Sequence, residues 1–415
     1  MPIIDKVNVS QSYTSRGSET VEAWIYSKEG VSGRYASPSG ASTGMHEAPM
    51  FPNNSIRDAL RVSIDLIKAL EGYEYSEQEE LDRYLRDFDG SKMYSRIGSA
   101  LSISISVAGA DLASNELGVP LFYWLSNGHA NTIPLPLGNV LGGGKHALNK
   151  SIDIQEILVF PYRAKTYREA YNAILLVHRK IGEELSKRDR YFSGGRNDEG
   201  AWTTSLNDEE ALQLVSECID KVYNESGLKI GLGVDIAAST LWDVDTSHYI
   251  YPRMGKYLSR EEQIIYICEL VDKYDLKYIE DPLEENDFNG FAELVESIGN
   301  RAIVVGDDLL TTNPSRIKLA LELGSCSGII IKPNQIGDLT SSWRATYMAG
   351  KGGMSIIVSH RSGETLYPHL AHVAVAYGAK LFKCGVVGGE RIIKHMELMR
   401  IEEEYGGLKL VSLYI

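Results

Sequence analysis

Six short apolar runs in the second half of the chain each end in a polar residue suited to chemistry. They read KIGLGVD to Asp235, LKYIE to Glu280, AIVVGD to Asp307, GIIIK to Lys332, SIIVSH to His360 and KLFK to Lys383. From Glu280 onward the ends lie 27, 25, 28 and 23 residues apart. Each step has room for one strand, one helix and two loops, the repeat of a parallel α/β barrel. Such a barrel brings the C-terminal ends of its strands to one rim. The spacing therefore predicts three carboxylates, two lysines and a histidine around one mouth. Three carboxylates suit a hard divalent cation such as Mg2+. Lysines beside them suit an anionic substrate.

The 415 residues are too many for one ordinary domain but suit a barrel with a smaller partner. A net charge of −14 argues against nucleic acid or an anionic membrane as partner. An anionic substrate would then depend on local cations. Cys218, Cys268, Cys326 and Cys384 form no CxxC pair and no zinc spacing, which suits core thiols in a reducing compartment. The start, MPIIDKVNVS, lacks a signal pattern. No apolar run approaches the roughly 20 residues of a membrane span. A cytoplasmic location is expected.

Residues 1–130 read as an α+β module, three strands and then helices. Strands are expected over 3–13, 19–28 and 31–36, with a turn at Lys28-Glu29-Gly30. The helix from Ile56 to Leu70 places Ile56, Leu60, Ser63, Ile64 and Ile67 on one face, capped by Asn54 or Ser55. A charged helix follows over 76–86 and an apolar one over 97–117. The stretch 129–136 is the expected junction. Residues 137–415 read as the barrel, strands and helices alternating, with helices over 166–187, 208–226, 259–274 and 313–323.

Pro38 to Gly44 is a Gly/Ser loop whose hydroxyls could serve as a lid over a metal or phosphate. Gly142-Gly143-Gly144-Lys145-His146 imitates a phosphate loop but has Asn139 for Gly and His after the Lys. Gly231-Leu232-Gly233 lacks the third glycine of a dinucleotide fingerprint. The remaining histidines share no spacing.

Taken together these residues resemble the enolase family. The likeness covers nearly the whole chain. It runs from Ser15-Arg16-Gly17 through SGASTG (39–44), QE (155–156) and DEG (198–200). It continues through IEDP (279–282), GDDLLTTNP (306–314), KPNQIG (332–337), SHRSGET (359–365) and RIEEE (400–404). KPNQIG is the form associated with archaeal members. The resemblance implies an N-terminal α+β domain capping a modified (β/α)8 barrel whose first connections are irregular. It implies the Mg2+-dependent dehydration of 2-phosphoglycerate to phosphoenolpyruvate, with two Mg2+ per active site. Asp235, Glu280 and Asp307 would bind the first Mg2+ and Ser42 the second. Lys332 would be the general base. Glu199 would be the general acid, assisted by Glu156. Arg361 and Ser362 would hold the phosphate and Lys383 the carboxylate. His146 and His360 would complete the pocket. Neighbouring Mg2+ and Lys383 would disfavour the protonated form of Lys332. The resemblance also implies a homodimer or larger homo-oligomer, with Glu22 and Arg400 able to pair across the interface.

The chain departs from the family pattern in several places. Relatives carry Asn-Gly-Gly before the lid histidine, where this chain has Gly142. They carry GDEGG where it reads NDEGA (197–201), SGETED where Thr365 is followed by Leu366-Tyr367-Pro368-His369, and GANA where it reads GSAL (98–101). None removes a residue given a chemical role. Two alternatives stay open: a divergent relative that binds ligand with little turnover, and another acid-sugar dehydratase of the wider superfamily. The latter group uses Lys-x-Lys on the second barrel strand or a His-Asp dyad, whereas this chain offers DEG in a loop and Lys332 on a later strand.

Overall fold

Alternating burial along β2 (Glu19–Ser27) turns Val21, Ala23 and Ile25 inward, which fixes the register of the N-terminal sheet. β1 (Ile4–Tyr13) and β3 (Ser32–Ala36) pair antiparallel on either side of it. The computed structural model describes residues 2–40, 44–148 and 150–413. α1 (Ile56–Leu70) starts at Ser55, whose Oγ accepts from the Asp58 amide. Its buried stripe is Ile56, Ala59, Ser63, Leu66 and Leu70. This corrects the expected face: Ile64 is 54% exposed, and Leu60 and Ile67 are half-buried. The stripe steps by three and four along small and large residues alike, so Ala59 belongs to it and Ile64 falls outside.

α2 (Gln78–Asp89) and α3 (Ser99–Leu117) follow. α3 is buried almost all round, with Ser102, Ser104 and Ser106 among its inward residues. It lies directly on β3. A Cβ at Gly33 would sit 2.1 Å from the Ala108 carbonyl and 2.2 Å from the Leu112 amide nitrogen. α4 (Leu121–Leu125) and β4 (Thr132–Ile133) lead into the barrel.

The barrel opens with β5 (Leu135–Gly142) and β6 (Glu156–Phe160), then α5 (Tyr167–Arg188) and α6 (Asp208–Ser226), then β7 (Gly231–Asp235). β6 runs antiparallel to both β5 and β7. The expected strand–helix alternation from residue 137 therefore holds only after β7. An antiparallel neighbour needs no crossover helix, so two strands and then two helices come first. A small sheet of β8 (Trp242–Asp243), β9 (His248–Tyr251) and β10 (Lys256–Leu258) is inserted next.

Regular units follow: α7 (Arg260–Tyr274), β11 (Leu276–Glu280), α8 (Phe288–Ile298), β12 (Ile303–Gly306), α9 (Pro314–Leu323) and β13 (Gly328–Ile331). A short α10 (Pro333–Ile336) and α11 (Leu339–Lys351) precede β14 (Ser355–Ser359). Then come α12 (His369–Ala376), β15 (Leu381–Gly385), α13 (Gly389–Glu404) and β16 (Lys409–Leu410), which pairs with β4. The strands close in the order β11-β12-β13-β14-β15-β5-β6-β7. One end of the barrel is plugged by Leu135, Leu137, Phe160, Tyr278, Val305, Ile330, Ile357 and Leu381. The polar strand ends are left at the other. No helix is long and apolar enough to cross a membrane among the described residues.

α6 begins with a capping box. Asn207 accepts from the Glu210 amide and Glu210 reaches back to the Asn207 amide. Asp208, at its first position, uses Oδ1 to accept from the amides of Asp153 and Ile154, the segment that leads into Gln155 and Glu156. Its Oδ2 is buried without a partner. Burial, with Asp153 nearby, pushes this carboxyl from 3.8 up to about 7.

Two outcomes are expected. Gly33→Ala should cost about 1–3 kcal/mol in denaturant unfolding, because the new methyl meets backbone that cannot swing aside; an unchanged midpoint would mean α3 slides freely. The folded pKa of Asp208 lies above its unfolded value, so its stabilising effect is complete below pH 3.8 and lost as pH rises towards about 7. Asp208→Asn does not titrate. The melting temperature of the variant relative to the parent should rise between pH 4 and pH 7 and level off above; a pH-independent difference would contradict this.

Candidate active site

Lys383 stands at the centre of the rim. Its Nζ lies 2.7 Å from Glu280, 3.0 Å from Asp235 and 3.0 Å from Glu156. Asp235 and Glu280 are the last residues of β7 and β11, and Lys383 is the third of β15. Asp307, Lys332 and His360 each stand one residue past their strands. The six predicted strand ends thus do reach one mouth. Glu156 reaches it for the opposite reason: it is the first residue of antiparallel β6 and pairs with Asp235. A search for strand C-termini could not find it.

Lys332 Nζ is bonded to Asp307. Burial and the cations Arg361 and Lys383 push this ammonium down, but Asp307 outweighs them and its pKa is raised. Lys383 acts in the expected direction on this proton, and Asp307 is the group that opposes it. Asp307 itself is lowered: burial raises it, and Lys332 and Lys383 outweigh burial.

Across the mouth, Glu199 sits in a turn whose shape comes from Asn197. The Asn197 Oδ1 accepts from the amides of Glu199 and Ala201, both at 3.0 Å. Glu199 Oε1 faces His360 Nε2 at 3.3 Å and His146 Nε2 at 3.6 Å. Asn139 donates to its Oε2 at 3.0 Å. The two histidines differ behind their rings. His146 Nδ1 faces Asp198 at 3.0 Å, and Asp198 is held by Arg16 at 2.8 Å. His360 Nδ1 faces the Arg391 guanidinium at 2.8 Å. Burial lowers His146, but Glu199 and Asp198 outweigh it and its pKa is raised. Burial pushes His360 down to about 4. Glu199 is raised by burial but lowered overall by the two histidines, whereas burial and Glu199 raise Glu156.

The loop 359–365 is held from two sides. Arg361 is paired with Glu47 at 2.9 Å. Arg16 donates to Ser362 Oγ at 3.4 Å, and Ser39 and Gly363 exchange backbone hydrogen bonds. From α13, Arg391 donates to the carbonyls of Arg361, Ser362 and Asp198. Lys394 binds Glu364 at 2.8 Å and the Thr365 carbonyl at 2.9 Å. Sequence reasoning missed Arg16, Glu47, Asp198 and Arg391 as site residues. Arg391 carried no signal at all, since a cation inside a helix reads as surface.

Six buried carboxylates (Glu156, Glu199, Asp235, Glu280, Asp281 and Asp307) and the half-buried Asp308 meet the cations Lys332, Arg361 and Lys383. The space between them is about 30 Å³. Asp281, Asp307 and Asp308 bring one oxygen each to within 4.8 Å of one another. Burial and like charge drive Glu280 and Asp281 well above the carboxylate range, and Asp308 to about 7. An all-oxygen set with unmatched negative charge fits a hard divalent cation. Ser42 lies outside the described residues.

The departures from the family pattern are packed together or point away. A Cβ at Gly142 would lie 2.7 Å from Asn197 Nδ2 and 3.0 Å from the Gln155 carbonyl. The glycine at 142 and the asparagine at 197 thus share one space. Trp202 stacks on His178, and Tyr367 packs on Tyr35 and bonds to Glu22, both away from the mouth.

Comparison with known proteins agrees with this architecture. Residues 4–125 match the family described as enolase, N-terminal domain, and residues 130–411 match enolase, C-terminal TIM barrel domain. The enolase of Archaeoglobus fulgidus is 45% identical over 401 residues, 97% of each chain. That of Pyrobaculum aerophilum is 40% identical over 404 residues, 96% of each, and that of Methanothermobacter thermautotrophicus 40% over 403 residues, 97% of each. The chain belongs to the enolase family, and its reaction is the hydro-lyase reaction of that family, dehydration of 2-phosphoglycerate. The family implies Mg2+.

Proposed function

We propose that this pocket divides the dehydration of 2-phosphoglycerate to phosphoenolpyruvate into two proton transfers, with Lys332 as base and Glu199 as acid. The supporting observation is that the two have separate partners: Lys332 is bonded to Asp307, and Glu199 faces His146 and His360 with Glu156 beside them. C2 lies next to an ionised carboxylate, so losing its proton builds a second negative charge there. Asp235, Glu280 and Asp307 would hold one Mg2+ and Ser42 would serve a second; when bound, they would supply the positive charge that stabilises the developing anion. Lys383 adds its own charge to the same end of the substrate. Lys332 becomes a base once Asp307 is engaged elsewhere, because Arg361 and Lys383 already disfavour its proton.

Arg361 and Ser362 bind the phosphate, with Arg361 exchanging Glu47 for it. The leaving hydroxide needs a proton. Glu199 delivers it, assisted by Glu156, with His146 and His360 holding the acid in place. The enzyme acts in the cytoplasm as a homodimer or larger homo-oligomer. Within one chain Glu22 accepts from Tyr367 and Arg400 pairs with Glu397; Glu22 and Arg400 would re-pair across the subunit interface.

The purified protein should convert 2-phosphoglycerate to an ultraviolet-absorbing enol product with Mg2+ and lose that activity on chelation. Lys332→Ala should abolish both C2-proton exchange with solvent and dehydration, by at least about 10³-fold. Glu199→Gln should retain exchange and lose dehydration; the reverse pattern would exchange the two roles. Light scattering should report a mass of at least two 46.0 kDa chains; a monomer would refute the assembly.

A further inference from the structure

The helix furthest along the barrel sends a fully buried guanidinium into the acid side of the pocket. Arg391 is 0% exposed, in the first turn of α13. Its Nη1 lies 2.8 Å from His360 Nδ1 and donates to the Arg361 carbonyl at 2.6 Å. Its Nη2 donates to the Ser362 carbonyl at 2.5 Å and to the Asp198 carbonyl at 3.2 Å. A guanidinium has only donors and keeps its charge. The Gly385 amide also points at His360 Nδ1, at 3.4 Å. With donors alone on that side, Nδ1 must accept, and the ring proton must sit on Nε2. There it faces Glu199 Oε1 at 3.3 Å.

We propose that Arg391 is a positioning residue for the elimination half of the reaction: it fixes His360 as a neutral ring that donates from Nε2 to Glu199, and it ties the phosphate loop to the turn carrying that acid. The inference rests on the role proposed for Glu199 and deepens it. Its geometry explains why two histidines on one carboxylate behave differently. His146 has a carboxylate behind it and His360 a guanidinium, so the second ring cannot take a proton without facing a cation. Low His360 basicity agrees with this. Because one guanidinium holds the carbonyls of residues 198, 361 and 362, acid and phosphate clamp cannot move apart while it stays in place. Lysine carries the charge but a single donor centre, and it cannot span these four acceptors.

Two measurements test this. In the wild-type protein with ¹⁵N-labelled histidine, with the His360 signal assigned by its absence from His360→Gln, the ring should show protonated Nε2 and bare Nδ1 at pH 7. A proton on Nδ1, alone or with Nε2, overturns the proposal, and this result does not depend on turnover or on the Arg391 variant. Arg391→Lys should lower dehydration roughly 10²-fold while C2-proton exchange stays near wild type. Loss of both in proportion would mean a merely structural role, and loss of neither would mean no role; either result overturns the proposal. If wild type showed no Mg2+-dependent C2 exchange, the reading of the reaction would fail while the tautomer assignment stood on its own. If Arg391→Lys fails to fold, the tautomer measurement decides.

Discussion

The unmatched negative charge at the barrel mouth is the constraint around which the rest of the chain is arranged. Six buried carboxylates and the half-buried Asp308, set against Lys332, Arg361 and Lys383, would not persist without strong compensation. Lys383, touching Glu280, Asp235 and Glu156 at once, supplies part of it. The remaining excess is the demand that a divalent cation meets. The same excess separates otherwise similar groups. Asp307 beside Lys332 is held below the ordinary carboxylate range, whereas Glu280, Asp281 and Asp308 are pushed above it.

Holding such a site requires bracing from outside the strands. The N-terminal domain contributes Arg16 to Asp198 and Ser362, Glu47 to Arg361, and Ser39 to Gly363. α13 contributes Arg391 and Lys394. The loop 359–365 is therefore clasped between the first and last parts of the chain. Its backbone carbonyls are satisfied by cations on one side and its hydroxyl by a cation on the other. This explains how a loop rich in charge can be almost wholly buried.

The regular part of the barrel was legible because each unit repeats one strand and one helix, and the residue ending each run is polar. The irregular start was not. Nothing in the run from Ile157 to Phe160 says that it runs backwards, and this reversal alone brings Glu156 to the mouth. Arg391 was silent because burial of a cation depends on acceptors more than 25 residues away in sequence, such as the carbonyls of Arg361 and Ser362. The face of α1 was misread because apolar side chains were counted without Ala59, which packs as closely as a leucine does. Ser42 came only from the family likeness, and no pattern in a Gly/Ser loop selects one hydroxyl.

Gly142 and Asn197 carry a consequence for how this chain could have diverged. The family pattern that the resemblance implies has an asparagine at the first position and a glycine at the second, the reverse of this chain. A side chain at 142 would press on Asn197 and on the Gln155 carbonyl. The form with asparagine at both positions is therefore crowded. The form with glycine at both gives up the Asn197 hydrogen bonds that shape the turn bearing Glu199. Residues 142 and 197 are therefore coupled through one shared space: what either can be depends on the other, and a transplant of the 197–201 turn into another scaffold would have to carry residue 142 with it.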